Sequence, residues 1–169
     1  PMKNLVRLFL TALVCVQCTH SNKTIPEKSH GLITEEAMVV SARNEASKIG
    51  VEIMKQGGNA FDAMIATDLA LLVSYPSAGN IGGGGFLVYM DKKGKATTID
   101  FREKAPLLAT SDMYLDDSGK LIEKSNHIGL RTVGVPGTVA GLYLAHQKYG
   151  ALPWVELVQP SIDLAENGV

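Results

Sequence analysis

The sequence predicts an α+β fold in which an antiparallel sheet is covered by helices. Apolar residues recur with helical spacing in residues 46–74 and again in residues 137–167. Between these regions, residues 86–101 alternate with the period of two that is typical of a half-buried β-strand. Helices, then a hairpin, then more helices indicate a layered domain.

The composition narrows the class of partner. With 46% hydrophobic residues in 169, the chain is long enough to bury a core of its own. The 16 Lys and Arg residues nearly balance the 17 Asp and Glu residues, so we expect no nucleic-acid partner. A small or neutral substrate fits this charge balance better.

The first 18 residues are typical of a signal peptide. Lys3 and Arg7 form a short positive segment before an apolar run at 8–16, and that run is too short to cross a bilayer as a helix. Residues 19–30 are polar and contain a proline, which indicates a flexible spacer. We therefore expect an exported protein, periplasmic or secreted, whose folded part is residues 31–169.

Both cysteines, Cys15 and Cys18, lie in this leader, so the rest of the chain has no disulfide, Cys nucleophile or thiolate metal site. Their spacing also fits a redox motif, although no βαβ pattern surrounds it. Cys18 could instead be the lipid-attachment residue of a bacterial lipoprotein. Gln17 is bulkier than the residue that such processing prefers, and soluble export and lipid anchoring both stay open.

The first folded elements follow from local patterns. Residues 37–42 form a short apolar run that predicts a buried strand. A helix follows, ended by Gly57 and Gly58, and its inward face consists of Ala46, Ile49, Gly50, Ile53 and Met54. Asn59 and Asp62 have the spacing of a helix N-terminal cap, and residues 60–74 are apolar on nearly every side. That second helix belongs in the interior.

The later elements begin with a hairpin, 86–90 and 96–101, joined by a turn at 91–94. Another turn is predicted at 115–120. A helix should then open near Gly137 and run to Tyr149. We expect its inward residues to be Val139, Leu142 and Ala145.

The last part of the chain contains two prolines. Pro153 predicts a helix start, and Pro160 predicts a break before a final helix that ends at Asn167 and Gly168. Because the sequence stops at that helix cap, we expect it to be part of a longer protein.

Four consecutive glycines, 82–85, lead into the first strand of the hairpin. Glycine there costs backbone entropy, which indicates a close approach of another segment or of a substrate, or backbone dihedral angles that other residues cannot adopt. A phosphate cradle fits poorly, because such loops run from a strand into a helix and this one runs from a helix into a strand.

A charged cluster, 100–106, ends the second strand. It is either a solvated strand end or a site where the planar guanidinium of Arg102 pairs with a carboxylate. Other catalytic patterns are missing: there is no G-x-S-x-G, no H-E-x-x-H and no cluster of metal ligands. His127 is expected in a loop and His146 on a helix surface, so we predict no metal site and no cofactor.

Four motifs in order resemble the start of the gamma-glutamyltransferase large subunit. They are Gly57 to Ala63, Gly79 to Phe86, Asp100 to Pro106, and Val135 to Gly141 with Tyr149-Gly150. Each motif alone is weak evidence for this family, but the four motifs in this order and at this spacing are specific for it. The resemblance covers residue 31 to the end.

This resemblance implies the N-terminal part of an N-terminal-nucleophile hydrolase, an αββα sandwich made by self-cleavage of a precursor. The nucleophile is then a Thr of the small subunit, outside this chain, that attacks the γ-glutamyl amide of glutathione. Water or an amino-acid or peptide amine accepts the glutamyl group. No residue of this chain is expected to be catalytic, and Thr138 is expected to be structural.

The resemblance also implies that Arg102 holds the α-carboxylate of the substrate. Asp100 and Glu103 are expected to support its side chain. Two alternatives stay open: a related cephalosporin-type acylase, or a catalytically inactive binding or scaffold member. In either case the 169-residue chain alone is expected to be inactive.

Overall fold

The computed structural model describes residues 31–78 and 81–169, so the predicted leader and spacer lie outside the described residues. Residues 31–36 belong to a separate unit without helix or strand. The compact unit, Ala37–Val169, contains α1 (Asn44–Lys55), α2 (Ala60–Ser74), β1 (Phe86–Met90), β2 (Ala96–Asp100), α3 (Thr138–Tyr149) and α4 (Trp154–Asn167). A 3₁₀ turn at Leu130–Thr132 precedes α3.

Helix α2 is the centre of the packing. It contacts α1, α3 and α4, and one apolar cluster joins all four helices. The buried members of that cluster are Ile53, Ile65, Ala66, Leu69, Leu142 and Leu157. The interior position that the sequence predicts for this helix is therefore confirmed.

The hairpin is antiparallel and pairs Phe86 with Asp100 and Met90 with Ala96. Leu87 and Ile99 point inward and pack with Ala145 of α3 in a second buried cluster. The opposite face of β1 remains exposed. The described residues thus form helices packed on one face of an antiparallel sheet, as the α+β prediction requires.

The N-terminus of α2 connects distant parts of the chain. Asn59 Oδ1 accepts hydrogen bonds from the backbone N–H groups of Phe61 and Asp62, and Asp62 Oδ2 accepts one from the Asn59 N–H at 2.9 Å. This confirms the predicted cap as a complete capping box. Asp62 is fully buried and also accepts from the Ala151 N–H at 3.1 Å, while Asn59 Nδ2 donates to the Tyr149 carbonyl at 2.7 Å. The same two side chains therefore fix the α3–α4 connection.

Three predictions about elements are wrong. Residues 37–42 contain no strand: the only sheet in the described residues is the hairpin, and Val40 is 81% exposed. A strand needs a paired strand to satisfy its backbone groups, and no described residue pairs with this segment.

The inward face of α3 is also displaced from the prediction. The buried residues are Thr138, Gly141, Leu142 and Ala145, spaced i, i+3, i+4 and i+7, whereas Val139 is 43% exposed. Leu142 and Ala145 are thus confirmed as inward residues. Val139 lies about 100° away from that face on the helix.

Pro160 does not break the final helix, because α4 is continuous from Trp154 to Asn167. Leu157 and Ser161 on either side of it are buried, so packing holds the helix together across the missing N–H. The carbonyl that loses its partner belongs to Glu156, an exposed residue where water can replace the bond.

The capping box yields a test. Replacing Asp62 by Ala leaves the N–H groups of Asn59 and Ala151 without their acceptor and removes the capping box, so the free energy of unfolding should fall by about 2–4 kcal/mol. Denaturant unfolding of the full-length protein measures this change. The matched control is Asp117→Ala, at an exposed turn residue, which should change stability by no more than about 0.5 kcal/mol. Equal effects of the two substitutions would contradict a linking role for Asp62.

Candidate substrate-binding site

The end of β2 is held between two other segments of the chain. The Phe101 N–H donates to the Gly85 carbonyl at 3.0 Å, on the side of the glycine run. On the other side, Lys104 and Val135 exchange backbone hydrogen bonds of 3.1 and 2.8 Å. The backbone from Phe101 to Lys104 is therefore fixed, although it is not part of a regular strand.

Glycines on both sides make this close approach possible. A Cβ at Gly84 would lie 2.6 Å from the Phe101 carbonyl oxygen and 2.8 Å from the Arg102 Cα. A Cβ at Gly137 would overlap the Phe101 carbonyl oxygen, and one at Gly141 would overlap the Phe101 side chain. The glycine run is thus needed for the close approach of another chain segment, as the sequence predicts.

The N-terminus of α3 completes this arrangement. The N–H groups of Gly137 and Thr138 both donate to the Gly83 carbonyl, at 2.9 and 3.1 Å. These N–H groups belong to the start of a helix, where no intrahelical acceptor is available. The glycine run and α3 therefore hold each other as well as the strand end between them.

Arg102 extends from this fixed backbone. Its Nε lies 3.2 Å from Glu103 Oε2, and its Cζ lies 5.7 Å from the centre of the Phe86 ring. Among the residues that the structure describes, none accepts a hydrogen bond from Nη1 or Nη2. The side chain is 61% exposed. The two-nitrogen edge that pairs with carboxylates is thus accessible.

The two predicted supporting residues act on different parts of Arg102. Asp100 Oδ1 accepts a hydrogen bond from the Arg102 backbone N–H at 3.0 Å, so it holds the main chain and not the guanidinium. Glu103 contacts the guanidinium directly. A backbone hydrogen bond within Glu103 and the hydrogen bond from Arg102 lower the pKa of the Glu103 carboxyl below its usual value. Glu103 therefore stays ionised at neutral pH.

A cavity of about 630 Å³ lies beside the strand end. The glycine run, α2 and Glu103 line it, but Arg102 does not. Its walls are largely apolar, and burial there raises the pKa of the Asp68 carboxyl. The cavity is therefore lined by the neighbours of Arg102 and not by Arg102 itself.

The remaining predictions concern histidine and metal. His127 lies in a loop, as expected. His146 is half-buried and not a simple surface residue, since its Nε2 lies 2.8 Å from the Leu152 carbonyl oxygen and its ring packs edge-to-face on Trp154. In residues 31–78 and 81–169, no group of three or more His, Cys, Asp or Glu side chains could hold a metal ion. No helix within these ranges is long and apolar enough to cross a membrane.

Phe86 is the neighbour of Arg102 that the sequence did not single out. It belongs to the outward face of β1 and is 63% exposed. Phe86 pairs with Asp100, and paired residues point to the same side of the hairpin. Arg102 lies two residues after Asp100, so it points to that side as well. The sequence alone does not give the pairing register of the hairpin, which is what brings Phe86 to Arg102.

Comparison of the fold defines the class of protein. The structure matches that of Helicobacter pylori gamma-glutamyltranspeptidase with a TM-score of 0.76 and 45% identity, over 83% of this chain and 40% of that chain. It also matches cephalosporin acylase from Bacillus halodurans with a TM-score of 0.61 and 28% identity, over 86% of this chain and 28% of that chain. The chain has the fold of the N-terminal-nucleophile hydrolases.

The sequence narrows this class to one family. The family model for gamma-glutamyltranspeptidase matches residues 46–169, and the chain belongs to that family. One relative, the glutathione hydrolase proenzyme of Pseudomonas sp. (strain A14), is 52% identical over 134 residues, which are 79% of this chain. The matched region spans 23% of that relative.

The glycine contacts yield a second test. Gly137→Ala would drive a Cβ into the Phe101 carbonyl oxygen. That oxygen belongs to the backbone and moves only with the whole strand end. We expect the free energy of unfolding of the full-length protein to fall by about 1–3 kcal/mol. Val139→Ala, at an exposed position of the same helix, should cost less than about 1 kcal/mol. A Gly137→Ala protein as stable as the parent would show that the close contact is not required.

Proposed function

We propose that this chain contributes the carboxylate-binding arm of a glutathione hydrolase that also transfers γ-glutamyl groups. One observation carries the proposal: Arg102 projects a two-nitrogen edge, to which no described residue is hydrogen-bonded, from a backbone fixed on both sides. A fixed guanidinium fork binds a carboxylate in one orientation, because two parallel hydrogen bonds define its plane. The α-carboxylate of a γ-glutamyl compound is such a ligand.

In the complete precursor, the reaction is acyl transfer through a covalent intermediate. The nucleophile we propose is the hydroxyl of an N-terminal Thr, created when the precursor cleaves itself beyond residue 169. It attacks the γ-glutamyl amide carbon and expels the amine, and water or the amine of an amino acid or peptide then takes the glutamyl group. This chemistry involves no cofactor.

The role of Arg102 in this scheme is positional. When the α-carboxylate is held, the γ-amide carbon lies a fixed number of bonds away and stays within reach of the nucleophile. Asp100 supports the role through the backbone of Arg102, and Glu103 supports it through Nε. Glu103 also carries negative charge beside the fork, which keeps the ligand on the Nη edge.

The alternative of a cephalosporin-type acylase has weaker support. The relative named cephalosporin acylase is 28% identical to this chain, compared with 52% for the glutathione hydrolase proenzyme. Assays of the full-length protein on glutathione and on a glutaryl amide distinguish the two activities. A catalytically inactive member of the family would lack the Thr at the cleavage site, and the sequence beyond Val169 decides this.

Arg102 gives the direct test of the proposal. Arg102→Ala in the full-length enzyme removes the proposed charge pair with the substrate. Such a pair is worth roughly 2–5 kcal/mol where the complete enzyme shields it from water, so kcat/KM for glutathione should fall about 30-fold to several thousand-fold. Arg102→Lys keeps the charge without the fork and should give an intermediate value. Self-cleavage should continue in both variants, because the precursor bond presents no glutamyl carboxylate.

Lys104→Ala is the matched control, since it removes an exposed cation two residues away. Its kcat/KM should stay within about twofold of the parent, because an exposed charge without a fixed partner contributes little. The proposal fails if Arg102→Ala behaves like this control, in which case Arg102 is an ordinary strand-end residue.

Export is a separate part of the proposal and rests on the leader sequence alone. We expect the mature protein to start after the leader, in the periplasm or outside the cell, or to carry lipid on Cys18. Mass spectrometry of the mature N-terminus distinguishes a free new terminus from a lipid-sized addition. An intact leader on the mature protein would refute export. If lipid is present, Cys18→Ser should release the protein from membranes.

A further inference from the structure

Phe86 lies on the exposed face of β1, together with Val88 and Met90. It is the first residue of β1, directly after the glycine run, and 63% of its surface is exposed. Its neighbour Leu87 is buried in the second apolar cluster. Packing of the hairpin on α3 therefore does not account for an aromatic ring at position 86.

The ring does have one defined neighbour among the described residues. The Arg102 Cζ lies 5.7 Å from its centre, inside the limit of about 6 Å for attraction between a cation and an aromatic face. Both side chains extend from backbone that is fixed. The Phe101 N–H binds the Gly85 carbonyl at 3.0 Å, which joins the residues just before Phe86 and Arg102. The contact is thus built by the register of the hairpin.

Phe86 and Glu103 restrain the guanidinium from different directions. Glu103 Oε2 contacts the Nε edge at 3.2 Å, and the Cζ lies over the Phe86 ring, 5.7 Å from its centre. The Nη edge is left for a ligand. An arginine whose guanidinium already contacts two side chains loses less side-chain freedom when it binds a carboxylate, so its affinity is higher.

We propose that Phe86 is a positioning residue of the substrate site, whose ring holds the Arg102 guanidinium in the plane that accepts the α-carboxylate. This inference rests on the proposed function of Arg102. The ring does not touch the reacting atoms. It acts on binding through Arg102, and an aromatic face at position 86 is the property that matters.

Three variants of the full-length enzyme test this role. Phe86→Leu keeps an apolar side chain and removes the aromatic face, and KM for a γ-glutamyl anilide should rise about three- to tenfold with kcat within about twofold. Phe86→Tyr keeps the face and should stay within about twofold of the parent. Val88→Ala changes the next residue on the same exposed face of β1, which carries no aromatic ring, and should also stay within about twofold.

The decisive readout is the double variant. If Phe86 acts through Arg102, Phe86→Leu should have no further effect on kcat/KM in an Arg102→Ala background. An equal loss in both backgrounds would overturn the inference, because the ring would then act on stability or on another part of the protein. An unchanged KM in Phe86→Leu would overturn it as well, while a large effect of Arg102→Ala in the same assay would leave the proposed function intact. If Arg102→Ala itself has no effect, the proposed function fails and this inference with it.

Discussion

Phe101 is packed against glycines of two other segments, at positions where a Cβ would overlap it. Gly84 of the glycine run and Gly137, just before α3, lie against its backbone, and Gly141 of α3 lies against its side chain. No side chain fits at these positions, so the glycine spacing and the geometry of the strand end depend on each other. The hydrogen bonds from Gly137 and Thr138 to the Gly83 carbonyl hold the two glycine segments together.

Arg102 is useful because of this contact. A guanidinium on a mobile loop would lose backbone freedom each time it bound a carboxylate, whereas here the folding of the domain has already fixed the backbone. Asp100 then holds the main chain of Arg102, while Glu103 and Phe86 contact its guanidinium. The site is therefore organised in two steps: the glycine contact fixes the backbone, and these three side chains then restrain Arg102. The chain is a large-subunit segment of the gamma-glutamyltranspeptidase family, and the catalytic residues that we propose lie beyond it.

Features that depend on neighbouring residues could be predicted from the sequence. The capping box of α2 needs only Asn59 and Asp62, and the hairpin needs alternation and a turn. Features that depend on distant residues could not. Residues 37–42 have the composition of a strand but no neighbour among the described residues, and Pro160 lies within a helix that buried packing sustains. The candidate site likewise contains one feature that depends on neighbouring residues and one that depends on distant residues. The motif predicted Arg102, while the pairing of Phe86 with Asp100, which brings the aromatic ring to Arg102, emerged only from the register.

The central claim is that Arg102 and the substrate α-carboxylate interact with each other. Its most direct measurement compares kcat/KM for a γ-glutamyl anilide and for the γ-aminobutyryl anilide, which lacks only that carboxylate, in the full-length parent and in Arg102→Ala. In the parent, removing the carboxylate should lower kcat/KM by about the same factor as replacing Arg102 does. In the Arg102→Ala enzyme, removing the carboxylate should lower kcat/KM little further, because each change removes the same interaction. Two losses that simply add in free energy would contradict the claim, since the carboxylate would then bind elsewhere.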